Sequence, residues 1–385
     1  MIEAFIGLMS GTSLDGIDGV LVEFGLPGGP PAARVVAHAH RPFPAELRAE
    51  FAALNVVGAN ELHRGALAAN ALAIEAAAVV DALVDAARCE RACVVAIGSH
   101  GQTVRHRPHE FDGTGYTVQL NAPALLAERT GIDVIADFRS RDVAAGGHGA
   151  PLVPAFHHAM FGRGDASVAV LNLGGIANLT SLDRDGAIAG FDCGPANVLL
   201  DLWCERSTGR AFDPDGSWGG RGSVDAMLLD ACLAEPYFAL PPPKSTGRDL
   251  FNAAWLEVRL DATRARARLC PEDIQATLAE LTARTVADAF RAHLAKAAEL
   301  IVCGGGARNG ELMARLAAGV TKGAMSVNAA PPAVRRTDDL GVPSNQVEAL
   351  AFAWLARQAL RQAPGNLPAV TGANGRRILG AVYPA

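Results

Sequence analysis

Residues 5–24 read FIGLMSGTSLDGIDGVLVEF, which is an apolar strand, a tip of small and acidic residues, and a second apolar strand. A hairpin needs only two or three turn residues, and this tip is longer. The tip offers a run of backbone N–H groups, two hydroxyls and two carboxylates, a set suited to a phosphate–metal complex. The stretch therefore predicts a phosphate-binding strand–turn–strand, and a capped hairpin is the alternative.

Composition indicates a folded globular protein. The chain has 385 residues, of which 50% are hydrophobic and 19% are charged, enough for two or three domains. The net charge of −6 argues against a nucleic-acid partner, which would favour a basic face. Seven scattered cysteines without CxxC spacing indicate reduced thiols and a cytoplasmic location.

Two further features argue against secretion and membrane insertion. The first residues, MIEAFIGLMSG, lack a basic start and a long apolar run, so we expect no secretory signal. The most apolar helical stretch is interrupted by Glu75, Asp81 and Asp85, which recur at helical spacing. We therefore expect a packed helix there and no membrane partner.

Strand and helix patterns alternate along the whole chain, which indicates an α/β fold. The sequence predicts strands at 4–8, 18–24, 93–98, 132–137, 168–173, 187–192 and 299–303. It predicts helices at 61–88, 195–206, 223–233, 272–297, 309–318 and 346–361.

Three times an apolar strand runs into a glycine cluster: FIGLMSGTSLDG, VAVLNLGGIANLT and LIVCGGGARNGELM. One such cluster carries little information, but three spread over the chain predict a single ligand held from several sides. None matches the GxxxxGK[ST] pattern of P-loop proteins or the GxGxxG pattern of dinucleotide-binding domains. Both of those folds are therefore disfavoured.

The three elements resemble the phosphate-1, phosphate-2 and adenosine motifs of the actin/sugar-kinase/Hsp70 superfamily. Between them lie SHGQTVRHRP, ADFRSRDVAAGGHGAPLVPAFH, GFDCGPANVLLDLW and KSTGRDLFN, and PGNLPAVTGA follows near the end. The whole set, from about residue 5 to the C-terminus, resembles the anhydro-N-acetylmuramic acid kinase family.

This resemblance implies a two-lobed, actin-like (ribonuclease H-like) ATPase fold with the active site in a cleft between the lobes. Lobe 1 would hold residues 1–140 and about 362–385, and lobe 2 would hold residues 141–361. The resemblance also leans towards a homodimer.

The resemblance assigns ATP and Mg²⁺ to the three glycine-rich elements. The ATP-binding residues would be Gly11, Thr12, Ser13, Leu14, Asp15, Gly16, Ile17, Asp18, Gly174, Gly175, Gly304, Gly305, Gly306 and Asn309. Mg²⁺ would be held through ATP and water, with Asp15 as a candidate ligand, so no dedicated metal cage is expected.

Asp192, at the end of a predicted strand, is the candidate catalytic base. The alternative for an Asp just before a helix is an N-cap. In the proposed chemistry Asp192 activates a water that attacks C1 of a 1,6-anhydro sugar, and the released O6 takes the γ-phosphoryl group.

The sugar should be bound by a second set of polar residues. The candidates are Ser99, His100, Gln102, Thr103, Arg139, Arg141 and Glu348. The two arginines suit the lactyl carboxylate of the sugar through their planar fork, unless they pair with the neighbouring Asp137 and Asp142. Glu348 has a surface charge as its alternative, and Lys244, Ser245 and Thr246 receive no individual role.

The resemblance thus implies a kinase that opens the anhydro bridge of 1,6-anhydro-N-acetylmuramic acid and yields N-acetylmuramate 6-phosphate and ADP in cell-wall recycling. An ordinary sugar kinase of the same fold, acting on a free hydroxyl, is one alternative. A nucleotide-gated regulatory or binding protein is another, although no additional module is evident in the sequence.

Overall fold

The computed structural model describes residues 3–11, 14–25, 33–242, 244–248, 250–326 and 330–385. Among these residues the strands are, in chain order, β1 (Glu3–Met9), β2 (Gly16–Phe24), β3 (Ala33–Pro42), β4 (Val94–Ser99), β5 (Gln102–Pro108), β6 (Gly115–Leu120), β7 (Val134–Ala136), β8 (Val168–Leu173), β9 (Ile176–Leu182), β10 (Ile188–Pro195), β11 (Glu299–Cys303), β12 (Ala333–Arg336) and β13 (Ala381–Tyr383).

The α-helices of the same ranges alternate with these strands. They are α1 (Ala45–Leu54), α2 (Glu61–Ala87), α3 (Pro123–Thr130), α4 (Ser140–Ala144), α5 (Val153–Phe161), α6 (Asn197–Thr208), α7 (Ala226–Leu233), α8 (Ala253–Ala262), α9 (Ala265–Arg268), α10 (Pro271–His293), α11 (Gly310–Ser326), α12 (Val347–Leu360) and α13 (Pro368–Thr371).

The chain forms two compact units, Met1–Met160 with Gln346–Ala385, and Phe161–Asn345. The sequence predicts boundaries at about residues 140 and 361, whereas the contacts within the chain place them after Met160 and after Asn345. Helix α12 belongs with the first unit because Gly7 on β1 and Gly98 on β4 let its backbone lie directly against the sheet. A side chain at either glycine would overlap the α12 backbone at Ala349 or Phe352.

The first unit contains a six-stranded sheet in the order β13-β7-β4-β1-β2-β3. Strands β1, β2 and β3 form an antiparallel meander, whereas β4 and β7 run parallel to β1. Parallel strands need a crossover, and α2 supplies it between the meander and β4. A separate two-stranded sheet, β5-β6, belongs to the same unit.

The second unit repeats this topology with the order β10-β9-β8-β11-β12. Strands β8, β9 and β10 form the meander, and β11 and β12 run parallel to β8. The same five-strand pattern therefore occurs twice in one chain. This duplication is the ribonuclease H-like arrangement that the sequence resemblance implied, and the predicted actin-like α/β fold class is confirmed.

Helix α2 is long and apolar enough to cross a membrane by length and composition, with a mean hydropathy of 1.8 in its most apolar window. More than half of that window, 56%, is buried inside the protein. Residues such as Leu72, Val80 and Leu83 are almost fully buried in the core of the first unit. This burial is typical of the core helix of a globular protein.

Candidate active site

Asp192 lies near the end of β10, opposite Asn178 on β9. The pairing of the two strands shifts register between Asp192 and Gly194, which forms a bulge. Oδ1 of Asp192 accepts a hydrogen bond from Nδ2 of Asn178 at 2.9 Å. Oδ2 accepts two more, from Oγ of Ser245 and from the backbone N–H of Thr246, both at 3.0 Å. Three donors therefore fix the orientation of a half-buried carboxylate.

The segment that supplies two of those donors is tied to β10 through its backbone. The N–H of Asp192 donates to the carbonyl of Lys244 at 3.1 Å, and the hydroxyl of Tyr237 donates to the carbonyl of Asp192 at 2.9 Å. Nζ of Lys244 donates to the carbonyls of Tyr237 and Phe238 at 3.3 and 3.1 Å. Lys244, Ser245 and Thr246, which sequence analysis left unassigned, thus hold Asp192 in place.

Asp192 is not the N-cap of the following helix. Helix α6 begins at Asn197, and its N-cap position is Ala196. The N–H groups of Ala196 and Val198 donate to the carbonyl of Gly175 at 2.9 and 3.1 Å, and that of Asn197 donates to the carbonyl of Gly174 at 3.0 Å. The turn between β8 and β9 therefore caps α6, and the carboxylate of Asp192 is used elsewhere.

Gly174 and Gly175 both have room for a methyl group, which would make only ordinary van der Waals contacts. A Cβ built on Gly174 would come no closer than 3.7 Å to another atom, and one on Gly175 no closer than 3.9 Å. Neither residue has the positive φ that favours glycine. Because neither packing nor backbone conformation requires glycine here, room for a ligand against the bare backbone is the physical reason that fits.

We expect Gly175→Ala to fold normally and to raise the KM for ATP about tenfold, because a methyl group would keep a phosphate from the backbone. Gly164→Ala is the matched control, since a Cβ at Gly164 would have no atom within 4 Å and Gly164 likewise has no positive φ. Steady-state kinetics and thermal melting check both variants. A normal KM for ATP in Gly175→Ala would contradict a nucleotide site at this turn.

The third glycine cluster follows β11. It contains two glycines that pack closely against Leu173 and one that has room beside it. Gly304 has φ +84°, and a Cβ there would lie 2.7 Å from the backbone of Leu173. Gly306 would meet the Cβ of Leu173 at 2.7 Å, whereas Gly305 is open to 3.8 Å. Asn309 precedes α11, and its Oδ1 accepts from the N–H of Leu312 at 2.9 Å. Gly304, Gly306 and Asn309 thus shape the turn, and Gly305 has room for a ligand.

The opening strand–turn–strand forms as predicted between β1 and β2, but Thr12 and Ser13 lie outside the described residues. Leu14 has φ +58°, and its N–H donates to the carbonyl of Gly11 at 3.3 Å. Asp15 is exposed at this turn. Asp15 therefore lies exposed directly before the start of β2.

Three other residues of this element are occupied within the sheet. Gly16 lets β2 approach β3, because a Cβ there would lie 2.9 Å from Cα of Pro42. Ile17 is buried in the core. The carboxylate of Asp18 lies 3.0 Å from Nδ1 of His40 on β3. Asp18 therefore bridges strands and does not cap the turn.

The candidate sugar-binding residues of the first unit cluster around the end of β4 and the start of β5. Oγ of Ser99 accepts from Nδ2 of Asn121 at 3.1 Å, and Oγ1 of Thr103 accepts from Nε2 of Gln119 at 3.2 Å. The buried side chain of Gln102 donates to the carbonyl of Gly11 at 3.2 Å. Gln102 thereby supports the phosphate-1 turn.

Arg139 and His100 are in direct contact. Nε of Arg139 donates to Nε2 of His100 at 3.0 Å, and Nη1 donates to the carbonyl of Gly149 at 2.7 Å. Burial, and then the charge of Arg139, lower the pKa of His100 well below its ordinary value. The ring is therefore neutral at pH 7 and carries its proton on Nδ1.

Burial also lowers the pKa of Arg139, to about 10, against the opposing effects of Glu348 and then Asp142. Arg139 is thus charged at neutral pH and lies near two carboxylates. Its direct acceptors are His100 and Gly149, and its alternative role as a hydrogen-bonded partner of Asp137 or Asp142 is not what the described contacts show.

The remaining two candidates differ in burial. Arg141 is exposed on α4, two residues beyond Arg139. Glu348 is half-buried in the first turn of α12, and its charge acts on Arg139. Glu348 is therefore half-buried and close enough to Arg139 for its charge to act on the guanidinium.

The sequence indicated Asp142 only as an alternative partner of the two arginines, and its burial was not predicted. Asp142 is fully buried and accepts from the N–H of Gly149, from Nδ2 of Asn366 and from Oγ1 of Thr371, at 2.8, 2.6 and 2.8 Å. We refer to these four residues as the Asp142 cluster. The motif PGNLPAVTGA holds Asn366 and Thr371, but the sequence does not indicate which carboxylate they contact.

Known proteins match this chain closely over its whole length. The family model described as anhydro-N-acetylmuramic acid kinase matches residues 3–385. The anhydro-N-acetylmuramic acid kinase of Cupriavidus pinatubonensis is 58% identical over 384 residues, covering 99% of this chain and 98% of that protein. The protein of the same name from Ralstonia nicotianae is 55% identical, covering 100% and 98%.

Similarity to solved structures is weaker. The activator of the 2-hydroxyisocaproyl-CoA dehydratase from Clostridium difficile with bound ADPNP has a TM-score of 0.47 and 13% sequence identity, and covers 94% of this chain and 98% of that chain. A similarity at this level assigns no activity. The family match and the identity to its members do, and they confirm the family that the sequence motifs indicated. The chain belongs to the anhydro-N-acetylmuramic acid kinase family and is a phosphotransferase with an alcohol group as acceptor.

Proposed function

We propose that this enzyme opens the 1,6-anhydro bridge of 1,6-anhydro-N-acetylmuramic acid with water and phosphorylates O6 with ATP. The products are N-acetylmuramate 6-phosphate and ADP. Family membership supports the substrate. The observation that carries the proposal is the carboxylate of Asp192, which three hydrogen bonds hold in one orientation.

The structure of the bridged sugar explains why the base must act on water. O6 of the bridged sugar has no proton, because it is bonded to C1, so a base cannot activate it as in an ordinary sugar kinase. Asp192 instead takes a proton from a water whose oxygen bonds to C1. The C1–O6 bond breaks, and its electron pair stays on O6. O6 then bonds to the γ-phosphorus as the bond to ADP breaks.

The proposed step corresponds to the base step of an inverting glycosidase, in which water attacks from the face opposite the leaving oxygen. The γ-phosphoryl group replaces the usual acid that protonates the leaving group. The three donors on Asp192 restrict its rotation, and a fixed orientation serves a general base.

The polar cluster of the first unit supplies candidates for sugar recognition. Arg139 has a charged planar fork that suits the lactyl carboxylate. Two acceptors already orient that fork, so less rotational freedom remains to be lost on binding. Neutral His100 and half-buried Glu348 flank it and complete the proposed sugar-binding group.

Mg²⁺ is proposed as the metal of the nucleotide. Among the described residues, no group of three or more His, Cys, Asp or Glu side chains is placed to hold a metal ion. The described residues therefore fit a Mg²⁺ ion that is held mainly by phosphate oxygens and water, with exposed Asp15 as a further ligand. When bound, Mg²⁺ neutralises charge on the phosphates of ATP. The enzyme would act in a bacterial cytoplasm, in recovery of cell-wall sugars.

Product identity tests this function against an ordinary sugar kinase. Purified enzyme is incubated with ATP and Mg²⁺ and either the bridged sugar or open N-acetylmuramic acid, and products are identified by ³¹P NMR and mass spectrometry. We expect 6-phosphorylated N-acetylmuramate, heavier than the bridged sugar by one water and one phosphoryl group. Turnover of the open sugar alone would overturn the proposal.

A further inference from the structure

The Asp142 cluster has an unusual electrostatic composition. Asp142 is 0% exposed, and the groups described as donating to it, on Gly149, Asn366 and Thr371, are all uncharged. Burial of a carboxylate is costly for a fold when, as among the described residues here, no cationic side chain forms an ion pair with it. The cluster therefore calls for an explanation beyond local packing.

Gly149 links the cluster to Arg139. Its N–H donates to Oδ2 of Asp142, and its carbonyl accepts from Nη1 of Arg139 at 2.7 Å. Gly149 has φ +69°, and a Cβ there would lie 2.8 Å from Cγ2 of Val143. The loop is therefore tightly constrained around the carboxylate. Gly149 thus connects the buried carboxyl group of Asp142 to the guanidinium of Arg139 through its own N–H and carbonyl.

The C-terminal segment holds the same loop from a second direction. The N–H of His148 donates to the carbonyl of Thr371, and that of Asn374 donates to the carbonyl of Ala145, both at 2.7 Å. Oδ1 of Asn366 accepts from the N–H of Arg377 at 2.6 Å. Residues 366–377 are therefore bonded to the loop and to Asp142 as one network.

We propose that Asp142 is a positioning residue for sugar binding: it fixes the Gly149 carbonyl, which orients the Arg139 guanidinium, and Thr371 and Asn366 hold Asp142 in place. The charge of Asp142 also favours the charged form of Arg139. This inference rests on the proposed function, in which Arg139 binds the carboxylate of the sugar. It assigns the C-terminal segment a role in substrate affinity.

The test uses Thr371→Val, which keeps the shape of the side chain and removes its donor. We expect the KM for 1,6-anhydro-N-acetylmuramic acid to rise about fivefold, with kcat and the KM for ATP changed less than about twofold, because a misplaced guanidinium weakens binding of the carboxylate. Thr371→Ser keeps the hydroxyl, so its KM for the sugar should stay at the wild-type value. Asn366→Ser removes the other side-chain donor and should raise the KM in the same way.

Two further variants separate the outcomes. Thr130→Val removes another buried hydroxyl of the same unit, which donates to the carbonyl of Leu126 at 2.8 Å on α3. It should lower thermal stability without changing the KM for the sugar. Arg139→Lys tests the proposed role of the arginine itself and should raise the same KM.

If Arg139→Lys raises the KM but Thr371→Val and Asn366→Ser leave it unchanged, the positioning role is overturned and the role of Arg139 stands. If Arg139→Lys leaves the KM for the sugar unchanged, Arg139 does not bind the sugar carboxylate as proposed, and the positioning role of Asp142 is overturned with it. A rise in Thr371→Val that Thr130→Val reproduces would also overturn the inference, since general destabilisation would then explain it.

Discussion

Asp192→Asn is expected to lower kcat by about three orders of magnitude while the protein stays folded. The size follows from the loss of a general base, which contributes about 10²- to 10⁴-fold. An amide at this position cannot accept the proton of the attacking water. Binding of ATP and sugar should change little, so their KM values should remain near those of the wild type.

The fold should tolerate this change for a geometric reason. The amide oxygen of the substituted side chain would still accept from Oγ of Ser245 and the N–H of Thr246. Its NH₂ group would face Asn178, whose own amide can rotate to present an oxygen. Asn178→Ser, which removes one donor only, is the graded control and should lose about tenfold. More than about a tenth of wild-type kcat in Asp192→Asn would contradict the assignment.

Gly304→Ala should lower the free energy of unfolding by about 3 kcal/mol, whereas Gly305→Ala should leave it within about 0.5 kcal/mol. Gly304 has φ +84°, which strains any side chain, and its Cβ would press on the backbone of Leu173. Gly305 has 3.8 Å of space. The two variants thus distinguish Gly304, which the fold requires to be glycine, from Gly305, where a methyl group fits.

Urea unfolding of both variants measures the stability difference, and kinetics measures the ligand effect. Gly305→Ala should raise the KM for ATP although its stability is normal. Equal destabilisation by the two substitutions would contradict the packing at this turn. A normal KM for ATP in Gly305→Ala would remove Gly305 from the nucleotide site.

The sequence predicted the long helices and most of the buried strands, because both carry strong apolar patterns. It missed β9, a buried strand of the second unit in which Asn178, Thr180 and Ser181 interrupt the apolar pattern. Strand β3 was missed, since its residues 33–42 mix apolar residues with arginine and histidine at the edge of a sheet. The β5-β6 hairpin was missed for the same reason, as it forms a separate, largely polar sheet. Apolar periodicity identifies a strand most readily where a run of apolar residues enters a core.

Prediction of the candidate site was limited in a similar way. Asp192 stood out because it ends a buried strand, but its partners depend on tertiary contacts. Asn178 was within reach of prediction, because the turn at residues 183–186 pairs Leu182 with Ile188 and hence residue 178 with 192. Ser245 was not, because its contact with Asp192 spans 53 positions of the chain.

The most direct test of the account follows the oxygen of water into the product. Enzyme, ATP, Mg²⁺ and 1,6-anhydro-N-acetylmuramic acid are mixed in oxygen-18 water, and the early product is analysed by mass spectrometry beside Asp192→Asn. The account predicts one label at C1 of the 6-phosphorylated sugar, none in the phosphoryl group, and no detectable early product from the variant. Unlabelled C1, or labelled product formed at a normal rate by the variant, would contradict it.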